Sequence, residues 1–333
     1  MAVLVTGGAG YIGSHTCVEL LARGEQIIVA DNFYNSKPRV IDMVKEITGK
    51  DFKFYKADIC DRSSVENIFR ENDIEAVIHF AGYKAVGESV KEPLMYYKNN
   101  IYSSVILLET MKKSRCKQFV FSSSATVYGI PKSVPITEDF PLGSINPYGS
   151  TKLIVENICR DLYDSEPDFR IALLRYFNPI GAHESGKIGD DPNGVPNNLM
   201  PIIMRVASGK LDKLSVYGND YPTPDGTGIR DYLHVTDLAL GHVRAIEKVR
   251  KEVGCKAFNL GTGKGYSVLE IINAFEEVNG LKIPDFIAPR RHGDAAECYS
   301  DPSLAKNELN WETKIGLNEM CRSSWNFAKS QIN

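Results

Sequence analysis

The sequence lacks a large excess of charge of either sign, and it lacks a long apolar run. Its 333 residues include 39 lysines and arginines and 42 acidic residues, for a formal net charge of −3. Nucleic acids and acidic membrane surfaces attract strongly basic proteins, so we expect neither as a partner. No stretch approaches the roughly 20 apolar residues that a membrane span needs. The apolar start Ala2–Val5 is also too short for a signal peptide.

Cysteines and histidines are few and scattered. None of the seven cysteines belongs to a CxxC pair, and none stands with histidines at the spacing of metal ligands. A dispersed, odd set of thiols is typical of reduced cysteines in a reducing compartment. We therefore expect a cytoplasmic protein with no disulfide framework and no metal site.

Short apolar runs alternate with amphipathic stretches through the first half of the chain. The apolar runs predict six strands, at Ala2–Thr6, Ile27–Ala30, Phe52–Tyr55, Ala76–Phe80, Phe119–Phe121 and Ile171–Leu174. The stretches between them predict helices at Tyr11–Ala22, Arg39–Thr48, Ser63–Glu71, Leu94–Lys113 and Tyr148–Tyr163. Such alternation indicates βαβ units. The predicted fold class is therefore α/β, with a Rossmann-type doubly wound parallel sheet.

This rhythm changes after residue 178. Two stretches rich in Gly, Pro, Asn and Asp, Gly181–Pro196 and Gly218–Gly228, predict long loops of the kind that often bind ligands. The remaining pattern predicts helices at Asn198–Ser208, Val235–Lys251 and Ser267–Val278, and strands at Leu214–Val216 and Ala257–Leu260. We therefore predict a dinucleotide-binding domain, 1–178, and a smaller mixed α/β substrate domain, 179–333, with some exchange of chain between them.

A glycine-rich turn joins the first predicted strand to the first predicted helix. Residues Thr6–Gly13 read TGGAGYIG, which satisfies both the GxxGxxG and the GxGxxG spacing. Glycine permits the tight turn and the close approach of a pyrophosphate, and the helix N-terminus offers its N–H groups to the phosphates. Asp31 ends the second strand about 20 residues further on, where a carboxylate accepts from a ribose diol and repels a 2′-phosphate. The pattern thus predicts NAD rather than NADP.

Two further strand ends fit the same predicted pocket. Asp58-Ile59 follows the third strand, where Asp58 is suited to hold an adenine amine, and Phe80-Ala81-Gly82 follows the fourth. Either segment is otherwise an ordinary strand end. We favour the binding interpretation because dinucleotides lie along the carboxyl edge of such sheets.

Tyr148 and Lys152 form a YxxxK pair, a spacing that puts both side chains on one helix face. An ammonium group favours the phenolate and lowers its pKa from about 10, so that the phenol can exchange a proton with a sugar hydroxyl. A YxxxK motif that occurs without other signals more often marks a solvent-exposed helix face. Here the run Phe121–Gly129, FSSSATVYG, leaves the fifth strand at its carboxyl end, where Ser124 is suited to orient the reacting hydroxyl.

Eight segments in order resemble the UDP-galactose 4-epimerases, in the extended short-chain dehydrogenase/reductase family. They are VTGGAGYIGSHT, HFAGYKAVGES, SSSATVYG, NPYGSTK, LRYFNPIGAH, PNNLMP, GTGIRDYLHV and APRRHGDAAECY. The resemblance implies NAD-dependent interconversion of UDP-galactose and UDP-glucose, by transient oxidation at sugar C4 and return of hydride to either face. Tyr148 would move the proton with help from Ser124. Lys152 would hold the nicotinamide ribose and lower the tyrosine pKa.

The resemblance also implies the binding residues and the assembly. The implied cofactor-binding residues are Gly7, Gly10, Tyr11, Ile12, Gly13, Asp31, Asn32, Asn35, Ser36, Asp58, Ile59, Phe80, Ala81, Gly82, Lys84, Asn99, Ser122, Tyr148, Lys152 and Phe177. The implied substrate-binding residues are Ser124, Tyr176, Asn178, Asn198, Leu199, Tyr217, Arg230, Arg291, Asp294 and Cys298. The arginines would pair with the diphosphate of a UDP-hexose. The implied assembly is a homodimer.

Cys298 bears on the choice of sugar. It stands where the epimerases that this chain resembles carry either a bulky tyrosine or a small residue, and a small residue leaves room for a 2-acetamido group. The sequence therefore predicts activity on UDP-GlcNAc and UDP-GalNAc as well. A register shifted by one residue would place Tyr299 there and reverse the prediction.

Three rival functions fit the same scaffold. A nucleotide-sugar 4,6-dehydratase needs an Asp-Glu pair after the active-site serine, and this chain has Ala125 and Thr126 there. A UDP-glucuronate 4-epimerase performs the same chemistry at C4 but needs a cation for the sugar carboxylate. A noncatalytic dinucleotide sensor typically lacks the tyrosine–lysine pair, which this chain keeps.

Overall fold

The computed structural model describes residues 1–194, 196, 198–291 and 293–331. Residue 195 of the predicted loop 181–196, and residues 197 and 292 of two resemblance segments, lie outside the described residues. The strands are β1 (Ala2–Thr6), β2 (Ile27–Asp31), β3 (Lys53–Lys56), β4 (Ile74–His79), β5 (Gln118–Ser122), β6 (Arg170–Tyr176), β7 (Asn178–Ile180), β8 (Leu214–Tyr217), β9 (Ile229–His234), β10 (Gly254–Leu260), β11 (Gly265–Ser267), β12 (Asp285–Ala288) and β13 (Glu297–Cys298).

The helices alternate with these strands in the first half. They are α1 (Tyr11–Ala22), α2 (Arg39–Thr48), α3 (Arg62–Glu71), α4 (Val86–Lys91), α5 (Pro93–Lys113), α6 (Pro147–Ser165), α7 (Leu199–Ala207), α8 (Val235–Lys251), α9 (Val268–Asn279), α10 (Ser303–Leu309) and α11 (Leu317–Ser330), with a short 3₁₀ turn at Ala125–Tyr128. Among the described residues, none of these helices has the length and apolar character that crossing a bilayer requires.

The largest sheet has seven parallel strands in the order β10-β6-β5-β4-β1-β2-β3. Its central strands are buried along almost their whole length, as expected for a parallel sheet covered by helices on both faces. The strand order reverses between β1 and β4, which opens a crevice at the carboxyl ends of these strands. The Rossmann-type prediction is confirmed.

The prediction of six strands in this sheet is too low by one. All six predicted strands occur, but β10 joins them by pairing along β6, from Gly254 beside Arg170 to Leu260 beside Tyr176. Helix α8, which precedes β10, packs against α1. Apolar periodicity identifies a strand but not its sheet, so the contribution of the second half was not visible in the sequence.

The remaining strands build a smaller mixed α/β layer. Strand β9 pairs with β7 and β13 in parallel and with β11 in antiparallel fashion, and β8 pairs with β12. A separate apolar cluster joins this layer to α7, α9 and α11, with Ile203, Phe275 and Met320 at its centre. The boundary at residue 178 stays a prediction.

Candidate active site

The glycine turn between β1 and α1 has no room for side chains. Gly7 has a φ of 71°, and a Cβ there would lie 2.7 Å from the Ala81 nitrogen. A Cβ on Gly13 would lie 2.3 Å from the Gly7 carbonyl oxygen. Gly10 caps α1 without a side-chain hydrogen bond, and the first turn carries no acidic residue. Helix N–H groups at this end have no partner inside the helix, so the turn is a cradle for an anion.

Asp31 holds the next part of the cavity in place. Its Oδ2 accepts from the Ala9 N–H at 3.0 Å, and its Oδ1 accepts from the Phe33 N–H and the Ser36 hydroxyl, each at 2.8 Å. The carboxylate therefore ties the glycine turn to the loop after β2. It retains lone pairs for a further donor, as a ribose diol would require.

One cavity runs along the carboxyl ends of the parallel strands and collects most of the predicted cofactor residues. Those that line it are Gly7, Gly10, Tyr11, Ile12, Gly13, Asp31, Asn32, Asn35, Ser36, Asp58, Ile59, Phe80, Ala81, Gly82, Lys84, Asn99, Tyr148 and Lys152. Ser122 and Phe177 do not line it. Ser122 is buried with its carbonyl turned to Lys152, and Phe177 packs in the main apolar cluster.

The residues Gly189–Pro192 also line this cavity, and motif reasoning did not assign them to it. Asp191 pairs with Lys37 and, at 2.7 Å, with Arg39, while Asp190 lies 3.4 Å from the Lys84 ammonium. The segment thereby reaches from the second half of the chain across the edge of the cavity. The glycine, proline and aspartate residues of this segment were the signal in the sequence that could have identified it as a binding loop.

Local sequence places the tyrosine at the start of α6. The Asn146 side chain accepts from the Gly149 N–H at 2.9 Å, and Pro147 occupies the first helical position. Both residue types favour a helix start, so Tyr148 lies in the first turn, where it lines the cavity. One turn later the Lys152 ammonium donates to the Ser122 carbonyl at 2.8 Å.

Ser124 completes the predicted catalytic set. Its hydroxyl accepts from the Thr126 N–H at 3.2 Å, and the nearby Ser124 side chain lowers the pKa of Tyr148. The Lys152 ammonium lies 6.0 Å from the centre of the Tyr148 ring. Tyr148 and Lys152 line the cavity, whereas Ser124 lies near Tyr148 without lining it, and all three side chains are largely buried.

The lowering of the tyrosine pKa by Lys152 stays a prediction, because burial dominates the pKa of Tyr148 in this structure. Burial raises the pKa of Tyr148 above its usual value, Tyr176 raises it further, and the Ser124 side chain opposes both. Burial also lowers the pKa of Lys152 to about 8, against the influence of Glu156. Desolvation disfavours the charged form of each group, and helical spacing alone does not reveal it.

A second group of predicted residues gathers on the smaller sheet. Arg291 donates to the Asp294 carboxylate at 3.0 Å, and the Arg230 guanidinium lies 3.8 Å from the same carboxylate. The Arg291 guanidinium stacks 4.8 Å from the centre of the Tyr217 ring. Cys298 pairs with Arg230 between β13 and β9. Two guanidinium groups against one carboxylate leave net positive charge beside an exposed aromatic ring, which suits an anionic, aromatic ligand.

The remaining predicted substrate residues lie elsewhere around this layer. Tyr176 lines the dinucleotide cavity, and the exposed Asn178 pairs with Tyr232 of β9. Asn198 and Leu199 form the N-terminus of α7. Among the described residues, no hydrogen bond or ion pair joins Asn198 or Leu199 to Arg230 or Arg291.

Comparisons with known proteins place this geometry in a family. A family model described as GDP-mannose 4,6 dehydratase matches residues 4–324. The UDP-glucose 4-epimerase of Bacillus subtilis is 62% identical over 333 residues, which are 100% of this chain and 98% of the relative. That of Haemophilus influenzae is 56% identical over 331 residues, 99% of this chain and 98% of the relative.

A solved structure agrees with these relatives. The UDP-glucose 4-epimerase from Bifidobacterium longum, in complex with NAD+ and UDP, superposes with a TM-score of 0.97 at 53% identity and covers 100% of this chain and 99% of its own. The family model takes its description from a dehydratase, but this chain has Ala125 and Thr126 where a dehydratase needs carboxylates. The chain belongs to the UDP-glucose 4-epimerases of the extended short-chain dehydrogenase/reductase family.

Proposed function

We propose that this protein interconverts UDP-galactose and UDP-glucose at C4 with NAD as its cofactor. The observation that carries the proposal is that Tyr148 and Lys152 line the dinucleotide cavity, with Ser124 near enough to Tyr148 to lower its pKa. Close relatives that are UDP-glucose 4-epimerases, one of them solved with NAD+ and UDP, support it.

The residues of the cavity fit a dinucleotide without a 2′-phosphate. The glycine turn is a cradle that a Cβ on Gly7 or Gly13 would fill, so it suits the diphosphate. Asp31, fixed by three hydrogen bonds, is suited to the adenosine ribose, and Lys152 to the nicotinamide ribose. When bound, NAD supplies an acceptor and donor of hydride for the sugar carbon C4.

Tyr148 moves the proton in this scheme. Its phenolate oxygen takes the proton of the C4 hydroxyl as the sugar is oxidised, and the phenol so formed returns it as the sugar is reduced, while Ser124 orients the C4 oxygen. Because burial raises the tyrosine pKa, the phenolate needs a neighbouring positive charge, and Lys152 on the same helix face supplies it. The 4-keto sugar must then present its other face, so binding has to rest on the UDP end, through Arg230 and Arg291.

A turnover assay without added dinucleotide tests the proposal. We expect freshly purified protein to form UDP-glucose from UDP-galactose in that assay. A 4-keto-6-deoxy product would instead identify a dehydratase, and turnover of UDP-glucuronate alone would identify the acidic-sugar epimerase. No turnover of any UDP-sugar, with dinucleotide bound, would favour the sensor.

The enzyme should lose kcat/KM at alkaline pH. The pKa of Lys152 is lowered from 10.5 to about 8, chiefly by burial. An ammonium is present below its pKa, so the assistance to Tyr148 is complete at lower pH and is lost as the pH rises through about 8. A profile of kcat/KM against pH should show this alkaline limb, and a profile that is flat to pH 10 would contradict the role of Lys152.

Cys298 supports a broader choice of sugar. Consecutive residues of an extended chain point to opposite sides, and Tyr299, which directly follows β13, packs against Gly265, where a Cβ would lie 3.1 Å from its ring. We therefore propose that Cys298, not Tyr299, faces the sugar and that UDP-GlcNAc and UDP-GalNAc are substrates too. Cys298→Tyr should lower kcat/KM for the N-acetyl pair by about 10- to 200-fold and change that for UDP-galactose little.

Cys298→Ser is the matched control, because it keeps the side chain small. It should retain turnover of both sugar pairs. Absence of N-acetyl activity in the unaltered protein would disprove the broader specificity without touching the proposed epimerisation of UDP-galactose.

We also propose a cytoplasmic homodimer with the domain division at residue 178. Helices α4 and α5, which follow one another directly, expose apolar side chains, with Val90 62%, Leu94 81% and Tyr102 47% exposed. Isolated apolar residues are ordinary on a surface, but a group on neighbouring helices favours self-association.

A further inference from the structure

A buried carboxylate lies directly beneath the catalytic face of α6. Tyr148, Lys152 and Glu156 follow one another at four-residue intervals, which places them in a row along one side of the helix. The first two line the cavity, and Glu156 is 0% exposed below them. Glutamates are almost never fully buried unless they are paired.

Glu156 is fully paired. Its Oε1 accepts from the Ser123 hydroxyl at 2.6 Å and from the Arg175 Nε at 3.0 Å. Its Oε2 accepts from the Arg175 Nη2 and the Arg160 Nη2, each at 2.7 Å. The fork-to-fork contact with Arg175 fixes both position and orientation of the carboxylate.

Two of the partners of Glu156 each precede a residue of the proposed site. Ser123 leads into Ser124 at the end of β5, and Arg175 leads into Tyr176 at the end of β6. One carboxylate on the tyrosine helix thus holds two strand ends that carry the other hydroxyls of the site. Of its partners, only Arg160 comes from the surface, with a side chain 35% exposed.

Arg175 is itself fixed from the other side. Its Nη1 donates to the Tyr128 hydroxyl at 3.0 Å and to the Glu138 carbonyl at 3.1 Å. The Tyr128 hydroxyl in turn donates to the Asn259 Oδ1 at 2.6 Å. A fully satisfied buried network of this kind is rigid, whereas apolar side chains of the same volume often stabilise a fold equally well. Stability alone therefore gives little reason for this ion pair.

We propose that Glu156 is a positioning residue for the C4 chemistry, which holds Ser124 and Tyr148 in register through the Ser123 hydroxyl and Arg175. The inference rests on the proposed function, because register between these hydroxyls matters only if a proton passes there. Small misplacements of reacting groups are costly: an error of 1 Å can reduce a rate by about 100-fold.

Glu156 also acts on the charge of the lysine between it and the cavity. It raises the pKa of Lys152 against the lowering by burial. The ammonium donates to the Ser122 carbonyl, and the rings near it are those of Tyr148 on its own helix, of Phe121 of β5 at 4.8 Å, and of His79 of β4. His79 is neutral, since burial lowers its pKa to about 3. Removal of the carboxylate charge should therefore lower the pKa of Lys152 further.

Three variants separate positioning from a merely structural role. Ser123→Ala removes one hydrogen bond and leaves the ion pair intact, so kcat should fall roughly 10- to 100-fold with little change in KM, dinucleotide content or thermal midpoint. Glu156→Gln should in addition shift the alkaline limb of the pH profile to lower pH. Arg160→Gln is the matched control on the same carboxylate and should change kcat less than about twofold.

A readout independent of turnover keeps this inference apart from the proposed function. The pKa of Lys152 can be followed by NMR with ¹³C-labelled lysine, assigned with a Lys152→Met variant, and should be lower in Glu156→Gln than in the unaltered protein. Failure of the unaltered protein to turn over any UDP-sugar would defeat the proposed function. An unshifted Lys152 pKa, a Ser123→Ala variant with full kcat, or an equal loss in Arg160→Gln would overturn the inference. If Glu156→Gln does not fold, Ser123→Ala and Arg160→Gln decide it.

Discussion

A Tyr148→Phe variant is expected to lose about 10²- to 10⁴-fold in kcat while it keeps its fold and its dinucleotide. The ring lies in the first turn of α6 against the cavity, so phenylalanine preserves the packing and removes only the hydroxyl that exchanges the proton. The neighbouring Ser124 cannot replace it as a base, because a serine hydroxyl does not ionise near neutral pH. Steady-state rates with UDP-galactose, measured beside the absorbance of bound dinucleotide, give the result directly.

The matched control lies on the same helix. Tyr163→Phe makes the same chemical change about four turns further on, outside the residues that line the cavity, and should leave kcat within about twofold. If Tyr148→Phe remained fully active, or if both variants lost activity equally, Tyr148 would not be the acid–base residue and the proposed mechanism would fail.

Elements with a strong local signal were predicted closely from the sequence. Helix α1 spans Tyr11–Ala22 as predicted, because the glycine turn fixes its start. Helix α2 ends at Thr48 as predicted, because Gly49 follows in the left-handed conformation with a φ of 64°. Strand β10 illustrates the limit: its apolar end, Ala257–Leu260, was visible, but its place beside β6 depends on pairing over long sequence separation.

The features of the site also divide into those that a local sequence pattern reveals and those that depend on contacts between distant residues. The glycine turn and Asp31 are recognisable because each function needs particular residues at short spacing. The contact of Asp190 with Lys84 and the burial of Glu156 against Arg175 join distant parts of the chain, and no local pattern predicts them. The rise in the pKa of Tyr148 on burial was not visible in the sequence for a related reason, since desolvation depends on everything that surrounds the ring.

The glycine turn yields the second large effect: Gly13→Ala should weaken dinucleotide binding by about 5- to 150-fold. The new methyl group would lie 2.3 Å from the Gly7 carbonyl oxygen and 2.8 Å from the Gly8 Cα, and both are backbone atoms that no side-chain rotation can move. The turn must therefore shift, which costs about 1–3 kcal/mol as in other overpacked sites. A cost of that size corresponds to the stated loss in affinity if the shifted turn no longer accepts the diphosphate.

Gly316→Ala is the matched control, because a Cβ there meets nothing within 4 Å and Gly316 caps α11, outside the residues that line the cavity. Dinucleotide released on denaturation, and activity with and without added NAD, should fall in Gly13→Ala and be unchanged in Gly316→Ala. Restoration of activity at high NAD concentration would show that the variant folds and that the defect lies in binding. A Gly13→Ala protein that purifies with a full complement of dinucleotide would mean that the diphosphate does not rest on this turn, and the assignment of the cavity would have to be abandoned.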